Sequence, residues 1–421
     1  YFQTGGTTGS PKIAPHTHGN ELANTYIMNL LLRLDDSSIF FCGLPWFHAN
    51  GVIVTGICVF TNGHSLVLGT PSGYKGNGVL SNFWKIVEHF KINYFSSVPT
   101  ILQLLLNVPR GEANISSLKN AICGAAPLSI KLFNDFENFT DLKILEGYGF
   151  TEGTAMSTLN PVVGERKIGS IGLNIPYHDL KVVILNEKGN YVRDANPDEI
   201  GVFVARGPSI FPGYKEEIHN KKAWINDGTE KWYNTGDLGR EDTDGFFWIT
   251  GRKKELIIRG GHNIDPKSIE EPLAKHPSVA AVAAIGRPDA RVGELPVAYV
   301  ELKPNQQVKA SALLEYAKQQ IKERAAIPKH IYIIEALPLT AVGKIFKPKL
   351  LERQIIEVFQ AALAELSIVE QSTIWVAADK VKGTLAKIKI KPKEAIELDK
   401  LKAEVDTVLG SFTVKYELIQ D

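Results

Sequence analysis

Thr4-Gly5-Gly6-Thr7-Thr8-Gly9-Ser10-Pro11-Lys12 gathers three glycines, four hydroxyls and a lysine into nine residues. Glycine reaches backbone conformations closed to other residues and lets successive N–H groups turn toward one point. Hydroxyls and an ammonium add donors to the same concavity. That is the chemistry of a loop holding phosphate, and the alternative is an ordinary Gly/Thr turn. The run is not a Walker A loop, because its lysine stands three places after the last glycine, behind Pro11. A loop of this type is expected at the end of a buried strand in a larger sheet. Tyr1-Phe2-Gln3 therefore reads as a native strand by β propensity, with further sequence expected ahead of it; the alternative is the end of a tag-cleavage site, after which Gly or Ser is usual where Thr4 stands.

Working outward, the 421 residues are 44% hydrophobic and 22% charged, the makeup of a soluble globular protein with two or three domains. The net charge of +1 gives no support for a nucleic-acid partner or a strongly basic membrane face, so membrane contact is expected to be at most peripheral. Cys42, Cys58 and Cys123 lie in apolar or Gly/Ala-rich sequence without metal-ligand spacing, which argues against a disulfide framework and for a cytoplasmic setting. Apolar runs such as Gly51 to Phe60 are too short to span a bilayer.

After the loop, Thr17 or His18 can cap a helix carrying Leu22, Tyr26, Ile27, Leu30, Leu31 and Leu34 at helical spacing. Its N-terminus would add partial positive charge near phosphates. A strand over Ser38 to Leu44, an apolar stretch over Val52 to Leu68, a helix over Phe83 to Phe90 and a strand over Tyr94 to Val98 follow. This alternation predicts a mainly parallel sheet with helices on its faces. Three strand exits are rich in small or polar residues: Pro45 to Gly51 with His48, Gly124-Ala125-Ala126, and Glu146 to Glu152. In doubly wound sheets such exits gather at one edge and form the ligand site. From about residue 167 to 250 the pattern changes to short strands with frequent turns, predicting a small β-barrel or sheet that contains Thr235-Gly236-Asp237. Gly251 to Lys254 reads as a charged hinge, residues 255–350 as a small α+β domain, and 351–421 as an α+β extension of unassigned role.

In this order the segments resemble the adenylate-forming superfamily of acyl-CoA synthetases, peptide adenylation domains and luciferases, from Thr4 to about Leu350. Gly147 to Glu152, Arg206 to Tyr214, and Gly261 to Pro266 tilt the resemblance toward the acyl-CoA synthetases. It implies a large incomplete domain over 1–250, a mobile domain over 255–350, and ATP, Mg²⁺ and coenzyme A as cofactor and co-substrates. Carried over residue by residue, Thr4, Thr7, Thr8, Gly9 and Lys12 would hold the outer phosphates. Glu152 would be the Mg²⁺-linked carboxylate and Thr151 an α-phosphate contact. Gly124, Ala125 and Ala126 would flank adenine and the acyl group, Tyr148 would stack near the base, and Asp237 and Arg252 would hold the ribose. Lys344 would bridge the substrate carboxylate and the α-phosphate, and His48 would lie near the acyl pocket. Lys254 would be the hinge, with Gly260 and Gly261 near the thiol.

The sequence departs from the family pattern at Gly6, Ile13, Asn234 and Val342, none of which removes a charged group. The expected reaction is ligation of CoA to a fatty or other apolar carboxylic acid by way of an acyl-adenylate. Two alternatives stay open: an enzyme that loads an acyl carrier protein, and a noncatalytic nucleotide-binding or scaffold fragment. A chain without the family's amino-terminal region is expected to expose a sheet edge and part of its core.

Overall fold

Each central strand in the first half of the chain is covered on both faces. The computed structural model describes residues 1–4, 12–126, 128–252, 255–260, 262–340, 343–379, 383–394 and 396–419. Phe40 and Phe41, Tyr94 and Phe95, Ala121 and Ile122, and Ile144 and Leu145 are all buried. Successive strand side chains point to opposite faces. Phe41, Phe95, Ala121 and Ile144 pack in a core with residues of helices Phe83–Phe90, Pro99–Leu106 and Ile130–Thr140. Phe40, Tyr94, Ile122 and Leu145 pack with residues of His18–Leu32 and Cys58–Thr61.

The sheet runs in the order Ser65–Leu68, Ile39–Cys42, Tyr94–Ser97, Asn120–Cys123, Lys143–Tyr148, Thr158–Leu159, Leu173–Asn174. Its first five strands are parallel and its last two antiparallel. Parallel neighbours need crossover connections, so the loops leaving Cys42, Cys123 and Tyr148 emerge on one edge.

Helix His18–Leu32 starts at Thr17, whose side chain accepts from Asn20 N–H while Asn20 reaches back to the cap, a reciprocal capping box. Its apolar residues do not all turn inward. Ile27, Met28 and Leu32 are buried, whereas Leu22, Tyr26 and Leu30 are 51%, 55% and 47% exposed. Residues four apart stack on one helix side, so these three make a second apolar stripe. The apolar run after Pro45 splits into a wide π-type helix, Asn50–Ile57, then Cys58–Thr61 and the strand Ser65–Leu68. Gly51 is required there, since a side chain would collide with the Pro45 carbonyl.

The short-strand region forms a six-stranded antiparallel sheet. Tyr191–Asp194, Asp179–Leu185, Gly201–Arg206, Lys231–Glu241 and Trp224–Asn226 lie in that order, and Phe247–Arg252 also pairs with Lys231–Glu241. All of these elements belong to one unit, which comprises residues 1–4, 12–252 and 343–344 of the described chain.

The other unit takes in the remaining described residues from 255 to 340 and from 345 onward. Val279–Asp289 pairs antiparallel with Gly293–Leu302, which pairs in parallel with His330–Ile334, and the hairpin Ile257–Arg259/His262–Ile264 joins at Arg259. One sheet face buries Ala284, Ala298 and Val300 against Ile269 and Leu273 of Lys267–Ala274 and Leu313 and Ala317 of Ala310–Gln320. The opposite face buries Ala283, Val297 and Tyr299 with Leu350 of the helix Lys347–Ala364.

That helix also founds the extension. Its Ile355, Phe359 and Leu363 pack with Ile374, Ala386 and Ile388 of a hairpin, Val369–Asp379 and Gly383–Pro392, and with the helix Leu398–Leu409. Lys415–Leu418 completes the sheet in parallel. Fully buried Gln354 stitches helix to sheet: its Nε2 donates to Tyr299 Oη at 2.6 Å and its Oε1 accepts from Arg287 at 2.6 Å. Each buried polar atom so paired avoids a desolvation cost of about 1–3 kcal/mol. Among the described residues no helix is long and apolar enough to cross a membrane.

Candidate functional site

The phosphate-loop motif is carried by an antiparallel pair, Phe2–Thr4 with Lys12–Ala14, in which Thr4 lies opposite Lys12. This pair forms its own two-stranded sheet, where the sequence suggested a strand of a larger one. Thr7, Thr8 and Gly9 lie outside the described residues. The flanks of the loop meet Tyr214. The Lys12 ammonium is 4.5 Å from the centre of the Tyr214 ring, and Thr4 hydrogen-bonds the phenol with its side chain.

Tyr214 Oη donates to Glu152 Oε1 at 2.5 Å and is 3.0 Å from Tyr233 Oη. Burial, then the adjacent Glu152 carboxylate, pushes the Tyr214 phenol far above its usual pKa, so it remains a donor. Glu152 is buried in a single 3₁₀ turn, Thr151–Gly153. The turn is tight: a side chain on Gly149 would strike the Ala155 carbonyl, and Thr154 adopts φ 72°. A non-glycine residue in that region holds of order 1–3 kcal/mol of strain, repaid by its surroundings; here Thr154 Oγ1 donates to Ser209 O at 2.6 Å. Thr151 is fixed through its carbonyl, which accepts from His16 Nε2 at 2.7 Å.

A second cluster forms where Lys143–Tyr148 meets the antiparallel sheet. Tyr148 Oη donates to Oδ2 of buried Asp237 at 2.6 Å. Asp237 follows Gly236, at φ 75°, and its N–H donates to Thr235 Oγ1 at 3.1 Å. Arg252 is the cross-strand partner of Asp237, so the backbone sets those two residues side by side. The two clusters are joined by rings: Phe150 lies 5.7 Å from Tyr148 and stacks at 5.4 Å on Tyr233, which shares a strand with Asp237. Thr4, Lys12, Glu152, Tyr148 and Asp237 are thus linked through one aromatic chain.

The loop after Asn120–Cys123 places Gly124 against the Gly147 carbonyl, where a Cβ would come within 3.0 Å, and holds Ala125 at φ 68°. His48 Nδ1 accepts from Asn50 N–H at 3.2 Å. Burial, then the nearby Lys344 ammonium, lowers the His48 pKa to about 4, so the imidazole is neutral at physiological pH. Gly343 and Lys344 group with the first unit, and Gly343 O accepts from Thr100 Oγ1 at 2.8 Å. Gly260 belongs to the other unit, at φ 56° in the turn after Ile257–Arg259. Lys254 and Gly261 are outside the described residues.

Sequence reasoning missed Tyr214, Tyr233 and His16. Tyr214 ends the run Arg206 to Tyr214, but nothing in a sequence says that a phenol 62 positions away reaches Glu152.

Residues 2–215 match the model of the AMP-binding enzyme family, and residues 268–344 match its C-terminal domain. The chain belongs to the AMP-binding enzyme family. Among relatives, it is 42% identical over 393 residues to marinolic acid–CoA ligase of Pseudoalteromonas sp. (strain SANK 73390), covering 92% of this chain and 60% of that protein. It is 34% identical over 354 residues to the long-chain-fatty-acid–CoA ligase of Bacillus subtilis, covering 83% and 61%. The chain thus spans about three-fifths of the length of these relatives. A solved structure, O-succinylbenzoate coenzyme A synthetase from Bacillus subtilis with ATP and magnesium ion, matches with a TM-score of 0.70 and 26% identity, covering 83% of this chain and 69% of that one. The buried Glu152 carboxylate, held by the Tyr214 hydroxyl, is a hard oxygen donor of the kind that magnesium takes.

Proposed function

We propose that this chain carries the adenylation machinery of an ATP-dependent, AMP-forming acid–CoA ligase of the cytoplasm, acting on a fatty or other apolar carboxylic acid. The observation that carries the reading is the meeting of Thr4, Lys12 and Glu152 at Tyr214, joined by rings to Tyr148 and Asp237. One end supplies a cation and a carboxylate for the phosphates, and the other an acceptor for ribose hydroxyls. Apolar substrates are supported by two relatives named for marinolic acid and long-chain fatty acids.

In the first step the substrate carboxylate oxygen attacks the α-phosphorus of ATP and pyrophosphate leaves. Two anions must approach, so the site has to supply positive charge already in position. Lys344 offsets charge at the reacting oxygens without transferring a proton, beside a His48 that burial keeps neutral. Lys12 and Thr4 hold the departing pyrophosphate. Magnesium, when bound with ATP, neutralises phosphate charge, and Glu152 is the residue that would hold it. In the second step the CoA sulfur attacks the acyl carbonyl and AMP leaves. For this step the roles are those that the family resemblance implies, Lys254 as the hinge and Gly260 and Gly261 near the thiol.

The test is ATP–pyrophosphate exchange over a panel of carboxylic acids, followed by a chase with CoA or a phosphopantetheinylated carrier protein. Exchange should require the acid, and CoA should yield the thioester. Lys344→Ala should lower exchange about 100-fold or more while ATP binding persists. ATP binding without acid-dependent exchange would refute the reading, and a thioester formed only on the carrier would reassign the acceptor.

A further inference from the structure

The run that ends in Tyr214 holds Glu152 at two points. Phe211 N–H donates to the Glu152 carbonyl at 2.8 Å, pinning the backbone, and three residues on Tyr214 Oη donates to the carboxylate at 2.5 Å. Tyr214 is itself clamped on both sides of its peptide: its N–H donates to Asn220 Oδ1 at 2.8 Å and its carbonyl accepts from Asn220 Nδ2 at 3.0 Å. The next residue ties this run to the phosphate hairpin, Lys215 N–H donating to Ile13 O at 3.0 Å. A buried aromatic whose only task was packing could be phenylalanine, since the ring's neighbours Ala14, Phe211 and Ala223 are apolar. The hydroxyl has a different use.

We infer that Tyr214 is a positioning residue for nucleotide-bound magnesium. Its hydroxyl fixes the rotation of the Glu152 carboxylate, and its ring sets the Lys12 ammonium beside that carboxylate. Lysine and glutamate then address the same phosphates from fixed places. The inference rests on the adenylation reading and assigns the residue that organises its phosphate end.

Two variants separate hydroxyl from ring. Tyr214→Phe keeps the ring over Lys12 and removes only the donor to Glu152. ATP affinity, measured by calorimetry across a magnesium titration, should then need about tenfold more magnesium for half-maximal binding, because groups that orient a metal ligand typically govern affinity on that scale. At saturating magnesium the ATP affinity should stay within about twofold of the parent. Tyr214→Leu should weaken ATP binding at saturating magnesium as well, by removing the surface on which Lys12 rests. In a Glu152→Gln background, adding Tyr214→Phe should change the magnesium requirement no further, since the hydroxyl acts through the carboxylate.

A folded Tyr214→Phe protein with the parental magnesium requirement would overturn the inference. So would an additive effect in the Glu152→Gln background, which also decides the matter if Tyr214→Phe alone lowers stability. Magnesium-independent ATP binding by the parent protein would overturn the inference as well, whereas ATP binding without acid-dependent pyrophosphate exchange would overturn the adenylation reading, a separate result.

Discussion

Tyr148 shows how much one hydroxyl does at this site. It is the donor to Asp237 Oδ2, so it holds the carboxylate in the orientation proposed for accepting the ribose. Hydrogen bonds to charged groups contribute about 1.5–3 kcal/mol, so Tyr148→Phe should weaken ATP binding by about tenfold or more, read by calorimetry. Unchanged affinity would remove Tyr148 from the nucleotide site. His48 makes a pH prediction. Its pKa falls from the usual 6.5 to about 4 through burial and then Lys344, so the folded chain binds fewer protons than the unfolded chain between those values. That group therefore lowers stability progressively as pH drops from 6.5 to 4, and contributes no pH dependence above that window. His48→Gln should flatten the decline in urea midpoint between neutral and acid pH; an equally steep decline would show that His48 is not its source. At this scale the sequence was readable where a polar residue stood at a strand exit, as with Glu152 and Asp237. It was silent on Tyr214 and Tyr233, whose meaning lies in contacts made only by folding.

Elements were readable in proportion to their periodicity. The strand Tyr94–Ser97 stood out in the alternation of helices and strands, and Asn120–Cys123 at the small-residue exit Gly124-Ala125-Ala126. The run from Val52 to Leu68 did not resolve, because its apolar residues come in unbroken blocks, Val52 to Val54 and Ile57 to Phe60, whose lack of period does not distinguish a π-type helix from a strand. Helix His18–Leu32 was readable as a helix but not for which side faces inward, since two apolar stripes run along it. The Glu152 turn gives the sharpest prediction for an element. A methyl group on Gly149 would meet the Ala155 carbonyl, a backbone atom that no rotamer change moves. Gly149→Ala should therefore destabilise the protein by about 2 kcal/mol or more, seen as a lower denaturation midpoint. A native midpoint would mean the turn is looser than its geometry indicates.

Over the whole molecule, the helix Lys347–Ala364 serves two cores, lending Leu350 to the sheet with Tyr299 and Phe359 to the extension. The described residues proposed for nucleotide binding, from Thr4 and Lys12 to Asp237 and Lys344, belong to the other unit. Phe359→Ala should thus lower the stability of the second unit by about 3–5 kcal/mol. It should leave ATP affinity within about twofold of the parent, as expected for independent sites. Loss of both together would contradict that separation. The central claim is that the two residue clusters joined by rings hold one nucleotide, and a crystal structure with ATP and magnesium tests it most directly. The account predicts ribose hydroxyls on Asp237, outer phosphates between Lys12 and Glu152, and Lys344 at the α-phosphate. ATP bound away from Asp237 and Glu152 would contradict it.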